Sequence, residues 1–309
     1  MRYVAHMTKV KPMSTVASAR IAKFICEQLK FELIDSEEAA KEVKEIETLV
    51  VVNGPMAFCS FLEELSRLVR IARKVVWAQN DYTLPPPKPE SNAESPFRRV
   101  FADRKLRPVF WTNCEENVRA EGDVFINWNQ LTYALEDFPE YPKDPTLLYY
   151  GAYRKGREPY FDKWFKSPPY RAWVSAPAPS ATKFKNRYPD VLTIKPINWS
   201  LPVRATGAIY MADNKSCLLS HPPANRFFEM LSKRIPIWFD LTVAQSLRRS
   251  GLALPSEYVV GNQYELNNAL ERFNPREVAE EQTRLWHRDY KGQLSDTLCT
   301  AFHQLKELK

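Results

Sequence analysis

Residues 48–78 read TLVVVNGPMAFCSFLEELSRLVRIARKVVWA, a segment in which two short β-branched runs flank a helical pattern. The runs Thr48–Val52 and Lys74–Ala78 are rich in valine, as strands buried on both faces of a sheet are. Between them, Phe58–Ile71 places its apolar residues at the spacing of one helix face. A strand, a helix and a second strand in this order predict a βαβ unit with parallel strands.

The same alternation extends towards both ends of the chain. Before this unit, a strand is predicted at Tyr3–Ala5 and a helix at Ser14–Leu29. Further strands are predicted at Leu147–Tyr150, Tyr170–Val174, Ala208–Met211 and Ile235–Phe239, and further helices at Tyr160–Lys166, Arg226–Leu231, Tyr264–Glu271, Ser246–Ser250 and from Pro275 onward with a break near Gly292. The charge-rich residues 32–47 are expected to be a solvated face, and residues 83–108, with six prolines, a long surface loop.

A proline-spaced linker, Phe138–Pro145, separates the two series of elements. We therefore expect two α/β domains with parallel sheets and a cleft between them, covering residues 1–140 and 141–276. Ligands of such sheets bind beyond the carboxyl ends of the strands, so the residues that follow each strand are the first candidates for function.

Composition excludes several classes of protein. The 309 residues include only 8 glycines and contain neither G-x-G-x-x-G nor a P-loop, which disfavours a nicotinamide-type Rossmann site and a P-loop NTPase. Five scattered cysteines without a C-x-x-C pair encode neither a disulfide framework nor a structural zinc site. Without a long apolar run or a secretory signal we expect a soluble cytoplasmic protein, and a net charge of +7 is compatible with a polyanionic partner.

Three clusters of polar residues follow predicted strands. Asp81, after the third strand, is a candidate general base, although an aspartate here could equally cap a turn. The turn Gly151–Arg157 combines a glycine with Arg154, Lys155 and Arg157, which suits a diphosphate but also describes an exposed basic turn. Arg226 and Glu229, at i and i+3, offer a cation for phosphate and an acceptor for ribose hydroxyls, or a surface ion pair.

In their order along the chain, these clusters resemble the phage DNA glucosyltransferases. The family's D-I-R-L-P aligns with Asp81–Pro85, its Y-G-G-S-F-R-S-G with Tyr149–Gly156, and its R-V-W-E with Arg226–Glu229. A strand ending in V-V-N corresponds to Leu49–Asn53, and F-K-N followed by Y-P to Phe184–Pro189. The similarity covers about the first three quarters of the chain.

The resemblance implies a GT-B glycosyltransferase with two Rossmann-like domains facing across a cleft, the second of which binds a UDP-sugar. It implies that Asp81 is the base acting on the acceptor hydroxyl, that Gly151 and Arg154 contact the donor diphosphate, that Arg226 contacts a phosphate oxygen, and that Glu229 contacts the uridine ribose. In an ungapped alignment, Arg157 stands one position before the second arginine of the family's phosphate-binding turn. Asp213 resembles the aspartate of the family's G-D-K motif. The C-terminal helices, residues 277–309, are expected to cross back to the first domain.

The expected reaction transfers a hexose, most simply glucose from UDP-glucose, to the hydroxyl of 5-hydroxymethylcytosine or 5-hydroxymethyluracil in double-stranded DNA, with inversion. Mg²⁺ or Mn²⁺ is expected to assist the departure of UDP, with ligands that the sequence does not identify. In the basic loop beside Asp81, the candidate DNA contacts are Arg98, Arg99, Arg104 and Lys105. We expect a monomer without membrane contact, located in an infected host cell if the protein is phage-encoded.

Two other functions remain open on the sequence. A GT-B enzyme that acts on a small molecule or a glycan would have the same donor motifs. A DNA-binding relative without catalysis would retain the fold and bind DNA regardless of UDP-sugar.

Overall fold

The computed structural model describes residues 1–7, 17–52, 61–79, 108–113, 118–131, 135–194, 204–212, 223–287 and 290–308. The chain divides into two compact units, of which unit 1 comprises residues 1–131 and 289–309 and unit 2 comprises residues 132–288. No helix within the described ranges has the length and apolar character needed to cross a lipid bilayer.

Unit 1 is built on a parallel sheet that has, in its described part, the strand order β2-β1-β3-β4-β5-β6. Its strands are β1 (Arg2–Ala5), β2 (Glu32–Ile34), β3 (Ile46–Val51), β4 (Ala72–Gln79), β5 (Val109–Thr112) and β6 (Val124–Phe125). Its first three helices are α1 (Ala17–Leu29), α2 (Glu37–Glu42) and α3 (Leu62–Ile71). The predicted βαβ unit is present as β3, α3 and β4, with Val50 opposite Val76 in parallel register.

Both faces of this sheet are covered, which explains why its central strands are apolar on both sides. On one face, α3 packs Leu65, Leu68 and Val69 against the sheet. On the other face, Ile21 and Ile25 of α1 lie in a second buried cluster. Each cluster draws alternate residues from the same strands, as the two-residue repeat of a strand requires.

The charge-rich segment 32–47 exposes most of its charged residues, as expected of a solvated face. It contains strand β2, which pairs with β1, and helix α2. Ser36 caps this helix by accepting a hydrogen bond from Ala39 N at 3.1 Å. Ile34 and Ala40 are buried, so a few apolar residues among many charges are sufficient to attach the segment to the core.

Unit 2 is built on a second parallel sheet with the order β12-β11-β10-β7-β8-β9 among its described strands. These are β7 (Thr146–Tyr150), β8 (Arg171–Ser175), β9 (Leu192–Ile194), β10 (Gly207–Tyr210), β11 (Ile237–Asp240) and β12 (Val259–Val260). Its helices are α4 (Glu158–Phe165), α5 (Ala178–Arg187), α6 (Asn225–Ser232), α7 (Leu241–Arg249), α8 (Gln263–Arg272) and α9 (Pro275–Trp286). The last helix of the chain, α10 (Tyr290–Glu307), belongs to unit 1.

Aromatic side chains form much of the core of unit 2. Phe161 of α4 and Phe184 of α5 lie edge to face with ring centroids 4.8 Å apart, and both contact Tyr149 of β7. Helices α4 and α5 therefore meet at the Tyr149 ring. Elsewhere in the unit, Phe239 of β11 packs against Trp286 with ring centroids 5.5 Å apart.

The C-terminal helices differ from the expectation that residues 277–309 return to the first domain together. Helix α9 stays in unit 2, where the Gln282 side chain accepts a hydrogen bond from Ile237 N and donates one to Ile237 O. Residues 290–308 belong to unit 1, where Lys74 Nζ donates hydrogen bonds to the carbonyl oxygens of Leu305 and Leu308. The break predicted near Gly292 lies a few residues earlier, because α9 ends at Trp286 and α10, which contains Gly292, begins at Tyr290.

The first unit boundary also lies earlier than the predicted residue 140. Glu136 accepts hydrogen bonds from Lys233 Nζ, the closer at 2.8 Å, and Tyr141 Oη donates to Arg234 O. These contacts attach the linker to the turn after α6, within unit 2.

Candidate anion-binding site

The carboxyl ends of neighbouring strands in unit 2 bring three chain segments together. Strands β10, β7 and β8 are adjacent and parallel, so the residues after them emerge at one edge of the sheet. Gly151, directly after β7, donates a backbone hydrogen bond to Ser175 O at the end of β8. The turn predicted to bind a diphosphate therefore lies at this edge.

Gly151 is required by its backbone and by its neighbours. Its φ of +148° lies in the range that side chains disfavour. A Cβ at this position would lie 3.0 Å from Tyr149 Oη and 3.6 Å from Arg226 Nη1. The glycine thus leaves room for the Tyr149 hydroxyl, and the Arg226 guanidinium group lies beside the same turn.

Tyr210, the last residue of β10, orients Arg226. Its hydroxyl accepts a hydrogen bond from Ala224 N at 2.9 Å, which attaches the residue preceding α6 to the end of the strand. The guanidinium carbon of Arg226 lies 4.9 Å from the centroid of the Tyr210 ring. Arg226 Nη2 also donates a hydrogen bond to Met211 O, immediately after β10.

A second guanidinium group is buried beside the first. Arg157 is only 5% exposed, and its Nη1 donates a hydrogen bond to Tyr149 Oη at 3.3 Å. Burial lowers the pKa of Arg157, and the positive charges of Arg226 and Arg154 lower it further. A desolvated cation next to other cations is costly, and an anion bound among them offsets part of that cost.

Arg154 and Glu229 occupy contrasting positions around this pair. Arg154 is exposed and directly precedes the 3₁₀ turn Lys155–Arg157. Glu229 is 5% exposed on α6, between the buried residues Phe228 and Met230. A surface ion pair, the alternative interpretation of Arg226 and Glu229, does not fit a buried glutamate.

The other residues singled out from the sequence lie outside the described residues. These are Asp81, Asp213, Arg98, Arg99, Arg104 and Lys105. Gln79, the last residue of β4 and two positions before Asp81, is buried. Among the described residues, no three histidine, cysteine, aspartate or glutamate side chains are grouped as metal ligands. The expected Mg²⁺ or Mn²⁺ therefore stays a prediction.

Sequence reasoning missed the two tyrosines that hold the arginines. Tyr210 was interpreted only as part of an apolar strand, and Tyr149, although aligned with a family motif, was given no role; the rings of both lie in the core. Their position in the sequence could have indicated this role, because each tyrosine is the last or next-to-last residue of a strand and a polar cluster follows that strand. A tyrosine at such a position can bury its ring and present its hydroxyl to the site.

Comparisons with known proteins identify the fold. No protein-family model matches the chain, and no curated protein sequence matches it significantly. Among solved structures, a variant of the T4 phage enzyme BGT in complex with UDP-glucose matches with a TM-score of 0.67 and 14% identity over 100% of both chains. A glycosyltransferase involved in avilamycin A biosynthesis matches with a TM-score of 0.52 and 12% identity, over 100% of this chain and 99% of that one.

Anabaena HepE in complex with UDP and glucose matches with a TM-score of 0.52 and 12% identity, over 99% of this chain and 98% of that one. These similarities cover nearly the whole length of each protein and include both parallel-sheet units. The chain therefore has the GT-B fold of two Rossmann-like units and resembles the phage DNA β-glucosyltransferase of T4.

Proposed function

We propose that the protein is a UDP-sugar-dependent glycosyltransferase that transfers glucose from UDP-glucose to the hydroxyl of a 5-hydroxymethyl-pyrimidine in duplex DNA. The observation that carries this proposal is the pair of guanidinium groups, Arg157 and Arg226, packed around Gly151 at the carboxyl edge of the second sheet. In a parallel α/β sheet this edge is where ligands bind.

The donor diphosphate fits this site in charge and in shape. Guanidinium groups form paired hydrogen bonds with phosphate oxygens, and a glycine without a side chain lets a phosphate approach the backbone. When the bond between the sugar and the diphosphate breaks, negative charge accumulates on UDP. Arg157 and Arg226, held in place before the reaction, stabilise that charge, and Arg154 extends the site towards solvent.

The reaction on the acceptor side is assigned to Asp81. The hydroxyl oxygen attacks the anomeric carbon, the bond from that carbon to the diphosphate oxygen breaks, and the hydroxyl proton passes to the Asp81 carboxylate. A single displacement of this kind inverts the anomeric configuration. The Mg²⁺ or Mn²⁺ expected to assist the departure of UDP has no ligand assigned among the described residues.

A modified base in duplex DNA is the proposed acceptor for two reasons. The T4 phage enzyme matches with a TM-score of 0.67, against 0.52 for the avilamycin glycosyltransferase and HepE. A further matching structure, of a β-glucosyltransferase, is described as that of a DNA-modifying enzyme. The basic segment with Arg98, Arg99, Arg104 and Lys105 follows Asp81 along the chain. A base within a duplex must be turned out of the stack before its hydroxyl can reach a catalytic group.

The test is transfer of radiolabelled glucose from UDP-glucose to duplexes that contain hydroxymethylcytosine, hydroxymethyluracil or no modification. Label in one modified duplex alone is the expected result, and it identifies the base. Intact UDP-glucose binding without transfer to any DNA would contradict the DNA acceptor. Absence of UDP-glucose binding would contradict the donor assignment and favour a DNA-binding protein without catalysis.

A small-molecule or glycan acceptor is the second candidate, favoured by the similarity to the avilamycin glycosyltransferase and to HepE. The donor site would be the same for this function. Dependence on salt separates the two, since each contact with a DNA phosphate makes affinity fall with ionic strength. An uncharged acceptor would show little such dependence.

A further inference from the structure

The basic charge of this protein is concentrated in one short part of unit 2. Residues 151–187 contain nine basic and two acidic residues, an excess equal to the net charge of +7 of the whole chain. The rest of the chain holds 35 basic residues (44 less 9) and 35 acidic residues (37 less 2). The segment includes the turn after β7, helix α4, strand β8 and helix α5.

Both acidic residues of this segment contact the same arginine within it. Arg187 Nη2 lies 2.8 Å from Asp162 Oδ2, and Arg187 Nη1 lies 3.6 Å from Glu158 Oε2. The hydroxyl groups of Tyr153 and Tyr188 donate the remaining hydrogen bonds, to Glu158 Oε1 at 2.8 Å and to Asp162 Oδ1 at 2.7 Å. One arginine and two tyrosines therefore hold both carboxylates, and the single positive charge of Arg187 offsets one of their two negative charges.

Two further cations of the segment have carboxylate partners elsewhere in unit 2. Lys163 pairs with the buried Asp240 at 2.9 Å, and Arg171 pairs with Asp144 at 3.4 Å. Five exposed cations form no ion pair with any residue that the structure describes, and we call them the basic face: Arg154, Lys155, Lys166, Lys183 and Lys185.

Part of the basic face borders the candidate anion site. Lys183 Nζ lies 5.9 Å from the centroid of the Tyr153 ring, so α5 borders the turn that carries Arg154 and Lys155. The packing of Phe184 on Phe161 fixes α5 beside α4. The lysine side chains thus project from a rigid support.

We infer that the basic face binds the phosphate backbone of the DNA acceptor beside the donor site. This inference rests on the proposed function and adds a contact surface in unit 2 to the segment 98–105 of unit 1. Unpaired lysines on a rigid surface suit a regular array of phosphates, because each contact releases condensed counterions. Such contacts hold DNA without reading its sequence.

The experiment compares wild-type protein with the K155Q/K183Q/K185Q variant, which omits Arg154 because that residue is assigned to the donor. Fluorescence anisotropy measures affinity for labelled duplexes, with and without hydroxymethylcytosine, over a range of salt concentrations. We expect the variant to bind both duplexes more weakly by a similar factor, about tenfold or more at low salt. We also expect the plot of log association constant against log [salt] to become less steep, by about 0.9 for each lysine that contacts a phosphate.

A matched variant controls for net charge. It replaces three exposed cations of unit 2 by glutamine: Lys143, which precedes β7, Arg249, which ends α7, and Arg272, which ends α8. This variant loses the same charge as K155Q/K183Q/K185Q. These residues lie outside residues 151–187 and on other elements than those that carry the basic face. We expect this variant to keep nearly the wild-type salt slope.

The possible outcomes separate this inference from the proposed function. Wild-type transfer to DNA with an unchanged salt slope in K155Q/K183Q/K185Q would overturn the basic face and leave the proposed function intact. An equal loss in the control variant, or a parallel loss of UDP-glucose affinity, would also overturn it. Failure of the wild type to bind any duplex would overturn both proposals. The single variants K155Q and K183Q give the same comparison if the triple variant does not fold.

Discussion

Arg157 donates a hydrogen bond from Nη1 to the Tyr149 hydroxyl at 3.3 Å, eight residues back along the chain and within the core of unit 2. The tyrosine ring packs against Phe161 and Phe184, so the hydroxyl that receives the guanidinium group has little freedom to move. Gly151 lies next to the same hydroxyl and brings the backbone of the turn to it. One tyrosine thus determines both the direction of a buried cation and the space beside it.

Tyr149→Phe should weaken UDP-glucose binding while the protein remains folded. The change removes one buried hydrogen bond, which costs about 1 kcal/mol of stability, and leaves the Arg157 guanidinium less well held. We expect the KM for UDP-glucose to rise severalfold in steady-state assays. Tyr170→Phe is the matched control, because it removes the buried hydrogen bond to Trp164 O and should lower stability similarly with no change in KM.

Arg226→Ala should reduce the affinity for UDP by about one to two orders of magnitude. A charged hydrogen bond of this kind contributes roughly 1.5–3 kcal/mol. Isothermal titration calorimetry with UDP measures the loss directly. Arg171→Ala, at an exposed arginine paired with Asp144, should leave UDP affinity unchanged, and an equal loss in that variant would contradict the assignment of Arg226.

Gly151→Ala should destabilise the protein and impair UDP binding together. The positive φ imposes a strain of order 1–3 kcal/mol, and the new methyl group would lie only 3.0 Å from the Tyr149 hydroxyl, which must shift. Gly251→Ala separates these effects, since Gly251 also has a positive φ, +85°, but has nothing within 4 Å of an added Cβ. We expect it to be destabilised in urea unfolding with normal UDP affinity.

Asp81→Asn should abolish most glucosyl transfer and leave UDP-glucose binding intact. The amide cannot take the proton of the acceptor hydroxyl, and a general base contributes about 10²–10⁴-fold to rate. The measurement is kcat with the modified duplex at saturating UDP-glucose. Asp103→Asn, an aspartate of the same segment that has no assigned role, is the control. Unchanged turnover in Asp81→Asn would exclude this residue as the base.

The stability of unit 1 should fall as the pH decreases below about 6.5, the pKa of an unfolded-state histidine. His6 is buried directly after β1, and its Nε2 lies 2.9 Å from Ser18 Oγ. Burial lowers the pKa of His6, although a backbone hydrogen bond and the charge of Asp35 act in the opposite direction. Below the unfolded-state pKa, the unfolded chain binds a proton that the native protein does not. Each unit by which the pKa is lowered contributes about 1.4 kcal/mol to this loss.

His6→Gln should therefore lose less stability than wild-type protein between pH 7.5 and 5.5 in urea unfolding. The matched change at the exposed His303 should leave the pH dependence unaltered. An identical pH dependence in wild type and His6→Gln would show that the histidine is not responsible.

The main strands and helices of this protein could be predicted from local patterns in the sequence. Runs such as Leu49–Val52 are apolar because both faces of a parallel strand are buried, and the helices between them carry an apolar stripe at a fixed spacing. Glycine at position 151 is likewise decided locally, by a backbone conformation that other residues disfavour. These features depend on neighbours within a few residues, so the linear order of the chain reveals them.

The environment of the candidate site is decided by contacts that the linear order does not show. The burial of Arg157, the stacking of Arg226 on Tyr210, and the burial of Glu229 depend on strands and helices far apart in the chain. The same is true of α9, which stays in unit 2 because Gln282 binds the backbone of Ile237, 45 residues away. A side chain in a sequence has a charge and a size, but its desolvation and its partners exist only once the chain has folded.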